Sequence, residues 1–85
     1  MTTLLTLAEI RACAERMGLT RLVNVDAGGA DLNLAVAEDT DFDGRFQALC
    51  LETGDVLSVN GWNCYLHDDA DGRAQMAAQY WDWRD

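Results

Sequence analysis

The sequence predicts an α+β domain, a four- to five-stranded antiparallel sheet with an N-terminal and a C-terminal helix. Three observations predict it. Apolar residues recur at helical spacing as far as Met17 and with a period of two from Arg21 onward. Short glycine- and asparagine-bearing turns then break the chain at intervals that suit hairpins, and the chain closes on an alanine-rich segment. The 85 residues form a single domain spanning 1–85, and a hydrophobic share of 49% is richer than an acidic disordered chain would carry. A domain of this size buries only ~60–65% of its unfolded surface, so modest stability is expected.

Thr6-Leu-Ala-Glu9 is a capping box, in which the threonine side chain caps the helix start and Glu9 reaches back to the Thr6 amide. Leu7, Ile10, Cys13, Ala14 and Met17 follow at helical spacing, and Gly18 supplies a left-handed stop. A helix over residues 6–17 results. Its outer face carries Glu9, Arg11, Glu15 and Arg16 and is close to neutral. Leu22–Val25 then reads as a strand, Asp26–Gly29 as a turn and Asp31–Ala37 as the next strand, with Leu32, Leu34 and Val36 on one face. The glycine pair provides the positive φ angles of a tight hairpin. Glu38–Gly44 is an acidic loop, Phe46–Leu51 a third strand, Thr53–Asp55 a turn and Val56–Val59 a fourth strand. Asn60-Gly61 gives the strongest hairpin signal, leading into Trp62–His67 as a fifth strand or an edge extension. Asp68, Asp69 and Asp71 suit a helix N-terminus, where carboxylates cap amides and complement the dipole. Ala70–Trp83 is helix-compatible despite Gly72. Both helices are expected on one face of the sheet.

Charge is the strongest functional signal. Fifteen Asp and Glu against six basic residues, all arginine, leave a net charge of −9. Solubility needs a net charge of only about 2–8 in a small domain. An acidic surface attracts basic partners and speeds their encounter, and it argues against direct binding to DNA, RNA or an anionic membrane. The carboxylates concentrate at Glu38, Asp39, Asp41 and Asp43, at Glu52 and Asp55, and at Asp68, Asp69 and Asp71. In an antiparallel meander the loop after strand two, the one after strand four and the end of strand five are expected at one sheet end, where their charges would compete for Arg- and Lys-lined channels that bind nucleic acid. A generally solvated acidic surface is the alternative.

Other chemistry has little support. Asp41–Gln47 and Asp69–Gln75 both read D-x-D-G-R-x-Q, 28 positions apart. The first resembles the start of an EF-hand calcium loop, with Asp39, Asp41, Asp43 and Gly44 at positions 1, 3, 5 and 6. Position 12 is Cys50 in place of the bidentate Glu, so no metal or other cofactor is expected and any calcium affinity should be no better than ~millimolar. Cys13, Cys50 and Cys64 with the lone His67 lack zinc-site spacing and read as reduced, buried thiols. Neither a nucleophile–base pair nor a phosphate-binding loop is present, and no catalytic residue is assigned: the chain reads as non-enzymatic. Met1–Leu7 lacks the basic n-region of a signal peptide, and no apolar run approaches the ~20 residues of a membrane helix. A cytoplasmic protein is expected.

Tyr80, Trp81 and Trp83 crowd the end of the chain. On a continued helix, Trp81 would align with Ala74, Ala77 and Ala78, and Tyr80 and Trp83 with Met76. Two apolar faces cannot both pack on one sheet, so one is expected as a second interface, a seam for a homodimer.

In size, in acidity and in the clusters Glu38–Asp43 and Asp68–Asp71, the chain resembles the small phage-encoded inhibitors of bacterial defence, anti-CRISPR proteins in particular. That class shares no common motif, so no residue role carries over. The resemblance implies a mechanism and a place: occupation of a guide-RNA complex, a basic ribonucleoprotein, where target DNA or a recruited nuclease docks, in a bacterial host cell. Immunity- or antitoxin-type inhibitors of basic nuclease toxins, and a small calcium-dependent module, are the alternatives.

Overall fold

In the computed structural model, which describes residues 5–67 and 69–82, two helices flank five antiparallel strands. Helix α1 spans Leu7–Met17. The Thr6 hydroxyl accepts from the Glu9 amide and the Thr6 amide donates to the Glu9 carboxylate, both at 3.2 Å. These bonds hold the Glu9 carboxyl below the usual carboxylate range, the amide of Thr6 being the larger cause. Gly18 closes the helix at φ 72°.

Strand β1 (Arg21–Ala27) pairs with β2 (Ala30–Val36), β2 with β3 (Arg45–Cys50), and β3 with β4 (Val56–Asn60). The first hairpin is tighter than expected. Asp26 and Ala27 remain in the strand, and the turn is Gly28-Gly29 alone, at φ 61° and 86°.

Asn60-Gly61 is not a hairpin turn. It enters a 3₁₀ turn over Gly61–Asn63, with the Asn60 side chain accepting from the Trp62 amide, and the next strand, β5 (Cys64–His67), pairs with β1. The sheet order is therefore β4-β3-β2-β1-β5, so consecutive strands β4 and β5 form its two opposite edges. In a flat sheet those edges would stand four strand spacings apart, about 19 Å. The four chain steps from Asn60 to Cys64 reach at most about 14 Å, so the sheet must curl. The Cys64 thiol approaches the Asn60 carbonyl to 3.3 Å across the resulting seam.

Curling gives the sheet an inside and an outside, each with its own apolar cluster. Val23, Val25, Leu34, Val36, Phe46, Ala48, Cys50 and Val59 fill the concave interior. Leu22, Ala35, Leu49 and Leu51 lie on the outer face and pack against Ile10 and Ala14 of α1 and Met76 of helix α2 (Ala70–Gln79). Both helices do share one face. The other face is enclosed by the sheet itself. Among the described residues no helix is long and apolar enough to cross a membrane.

The loop between β2 and β3 is fastened to the 3₁₀ turn. The Gly61 amide donates to the Gly44 carbonyl at 2.9 Å, the Trp62 indole donates to the Asp43 carbonyl, and Phe42 packs edge-on against Phe46. Gly61 is needed for space, since an added Cβ would lie 2.0 Å from the Phe42 carbonyl oxygen, whereas a Cβ on Gly18 meets nothing within 4 Å. Gly18→Ala should therefore cost only the left-handed backbone penalty, about 1–2 kcal/mol. Gly61→Ala, whose Cβ meets backbone atoms that cannot swing aside, should cost about 3 kcal/mol or more through overpacking and also loosen the loop, giving the larger loss in urea unfolding. The reverse order would show that the loop is not clamped there.

Candidate functional site

The outer face of the sheet changes character along its length. Where the helices cover it, Leu22, Ala35, Leu49 and Leu51 face outward and are buried. Toward the Gly28-Gly29 turn, strand alternation brings polar residues to the same face. Asp31, Asp26 and Tyr65 lie side by side across β2, β1 and β5, and Asn33, Asn24 and His67 form the adjacent row. Helix α2 walls this surface. The result is a groove of about 480 Å³ to which Asp26, Asp31, Asp69 and Asp71 contribute carboxylates and Asn24, Asn33, Gln75 and Gln79 contribute amides. Among the described residues that line it, none is an arginine.

Hydrogen bonds set the groove floor. Asn24 Nδ2 donates to Asp31 Oδ1 and Asn33 Oδ1, each at 2.7 Å. Asn33 Nδ2 donates to the Tyr80 hydroxyl at 3.0 Å and approaches Glu52 Oε1 at 3.5 Å. Asp69 caps α2 by accepting from the Gly72 amide at 2.7 Å, with its charge at the positive end of the helix dipole. Asp26 and Asp31 are directly opposed. In a two-residue hairpin, pairs alternate outward from the turn, so this is a non-hydrogen-bonded pair whose Cβ atoms stand about 4.5–5.5 Å apart. Like charges so placed disfavour the folded sheet unless a cation comes between them.

The acidic segments expected at one end are thus divided. Asp69 and Asp71 enter the groove, and Glu52 borders it through Asn33. Glu38, Asp39, Asp41 and Asp43 sit on the clamped loop and do not line the groove. Asp55 turns back onto its own β3–β4 connection, where its carboxylate accepts from the Thr53 hydroxyl at 3.0 Å. Asp68 lies outside the described residues. Asp26 was missed because the glycine pair drew it into a turn, and Asp31, at the start of its strand, was thereby left without its cross-strand partner. The alternation of Asn24, Asp26, Asp31 and Asn33 with Val23, Val25, Leu32 and Leu34 was the signal that the strands run up to the glycines.

The repeated D-x-D-G-R-x-Q takes two structures. In the first copy Asp41 accepts from the Asp43 amide at 2.9 Å in a loop that leads into a strand, and in the second Asp69 starts a helix. Strands, not helices, flank the first copy. Among the described residues, no group of three or more His, Cys, Asp or Glu side chains is placed to hold a metal ion.

The aromatic end departs from expectation. Helix α2 stops at Gln79, Tyr80 has left helical geometry at φ −123°, ψ −88°, and the two-faced helix expected over 70–83 does not form. Tyr80 and Trp81 are half-buried against the cluster under the helices, with the Arg11 guanidinium 5.5 Å from the Trp81 ring centroid. They act as a lid on the core, so the argument for a second interface from surplus helix faces does not hold. Trp83 lies outside the described residues. No family model, curated protein or solved structure matches the chain.

Burial raises the Tyr80 phenol above its ordinary value of 10.0, against the lowering effect of the Asn33 bond. The unfolded chain releases this proton first as pH rises, so the folded state loses stability from about pH 10 upward. Tyr80→Phe should flatten that alkaline loss, read as the difference in urea midpoint between pH 9 and pH 10.5. An unchanged slope would place the Tyr80 hydroxyl in water.

Proposed function

We propose that the protein is a non-enzymatic acidic inhibitor that docks on a basic nucleic-acid-binding surface of a partner protein or ribonucleoprotein. The resemblance in size and charge favours a guide-RNA complex of bacterial CRISPR defence as that partner. The observation that carries the reading is the groove between α2 and the β1–β2 hairpin, which gathers four carboxylates with no arginine among its described lining residues. The −9 charge extends the same field beyond the groove. Exposed Tyr65, 68% accessible beside Asp26, adds an aromatic of the kind enriched in binding hot spots. The clamped loop with Glu38, Asp39, Asp41 and Asp43, and exposed Trp62, 79% accessible, presents a second acidic surface that steers encounter.

Carboxylates that take the place of phosphates exclude nucleic acid from the partner without binding nucleic acid themselves. Charge pairs desolvated in such a contact cost about 2–5 kcal/mol each when broken, whereas charges at its rim mostly set the on-rate. In a mobility-shift assay with labelled DNA and purified guide-RNA effector complexes, adding the protein should release the DNA, and the protein alone should shift none. Release should weaken as salt rises, because screening tightens from about 8 Å at physiological ionic strength to about 3 Å at 1 M. Basic nuclease toxins assayed in parallel would reveal an immunity-type inhibitor instead. A ternary complex with DNA still held would contradict the reading.

A further inference from the structure

We propose that the uncovered outer face of β2, β1 and β5 is a seat for an arginine side chain of the protein partner, with Asp26 and Asp31 holding the guanidinium and Tyr65 stacking on it. This deepens the docking reading above and rests on it. Three observations lead here. The hairpin register sets Asp26 directly against Asp31, an opposition that a cation between them relieves. The same register sets Tyr65 against Asp26 on the other side, with its ring exposed and edge-packed on His67 at 4.8 Å between centroids. The groove is concave, and among the described residues no arginine of the chain lines it.

The geometry selects arginine over lysine. Two carboxylates about 5 Å apart at Cβ suit the planar, forked guanidinium, which donates to both at once and stacks on an aromatic face. An ammonium is a compact, strongly hydrated point charge and gains less from either feature. Asn24 strengthens the seat by fixing Asp31, since its amide nitrogen donates to Asp31 Oδ1 at 2.7 Å. The seat also separates two roles among the carboxylates, as Asp69 is already engaged at the start of α2.

The test titrates the ¹⁵N-labelled full chain with acetyl-Gly-Arg-Gly-Gly-Arg-Gly-amide and with its lysine counterpart, following amide shifts at low salt. The arginine peptide should move the amides of Asp26, Asp31 and Tyr65 and bind about 5-fold or more tightly than the lysine peptide. Asp26→Asn with Asp31→Asn should weaken both peptides. Tyr65→Ala and Tyr65→Leu should bring the ratio toward one while sparing the lysine peptide, and the spectra report directly that each variant is folded. Equal binding of the two peptides, no binding of either, shifts confined to 38–43, or a preference left undiminished in both Tyr65 variants would overturn the seat. The docking reading fails separately, if no basic nucleic-acid-binding partner releases its DNA while the arginine preference at Asp26, Asp31 and Tyr65 persists.

Discussion

The three-residue bridge Gly61–Asn63 is the constraint on which the rest of the structure depends. It joins strands that the pairing order places at opposite edges of the sheet, and the chain is too short to do so unless the sheet curls. Curling lets 85 residues build two apolar clusters from one layer of strands, one enclosed by the sheet and one under the helices. Alternation along each strand then has buried positions on both sides, which is why Leu22 and Val23 are both fully packed.

The site follows from where that arrangement runs out of cover. Helices α1 and α2 bury the outer face only over Leu22, Ala35, Leu49 and Leu51. Beyond them the alternation continues with Asn24, Asp26, Asp31 and Asn33, and these polar positions face a concave space instead of a helix. The Tyr80 lid joins the two regions, since its ring packs on the core while its hydroxyl accepts from Asn33 in the groove floor. Stability of the end of the chain and shape of the groove are therefore coupled.

Local chemistry was legible in the sequence and long-range pairing was not. The capping box at Thr6 and Glu9, the stop at Gly18 and the Asp69 cap each depend on neighbours within four residues and stand where the residues indicated, and the glycine pair turns the chain as expected but in two residues instead of four. Asn60-Gly61 carried a hairpin signal, but what decided its fate was the Phe42 carbonyl and the pairing of β5 with β1, both far away in the chain. The end of α2 at Gln79 is similar: Asn33 and the core beneath the helices draw Tyr80 out of helical geometry, and neither is visible from 70–83 alone. Clustering of carboxylates along the chain identified half of the groove, at Asp69 and Asp71. The other half, Asp26 and Asp31, is a pair only because a hairpin register makes it one.

Hydrogen–deuterium exchange of the chain, free and bound to a guide-RNA effector complex, tests the central claim most directly. The account predicts protection over 24–33, 64–67 and the groove-facing turns of α2. Protection confined to 38–44 and the Gly61–Asn63 turn would contradict it.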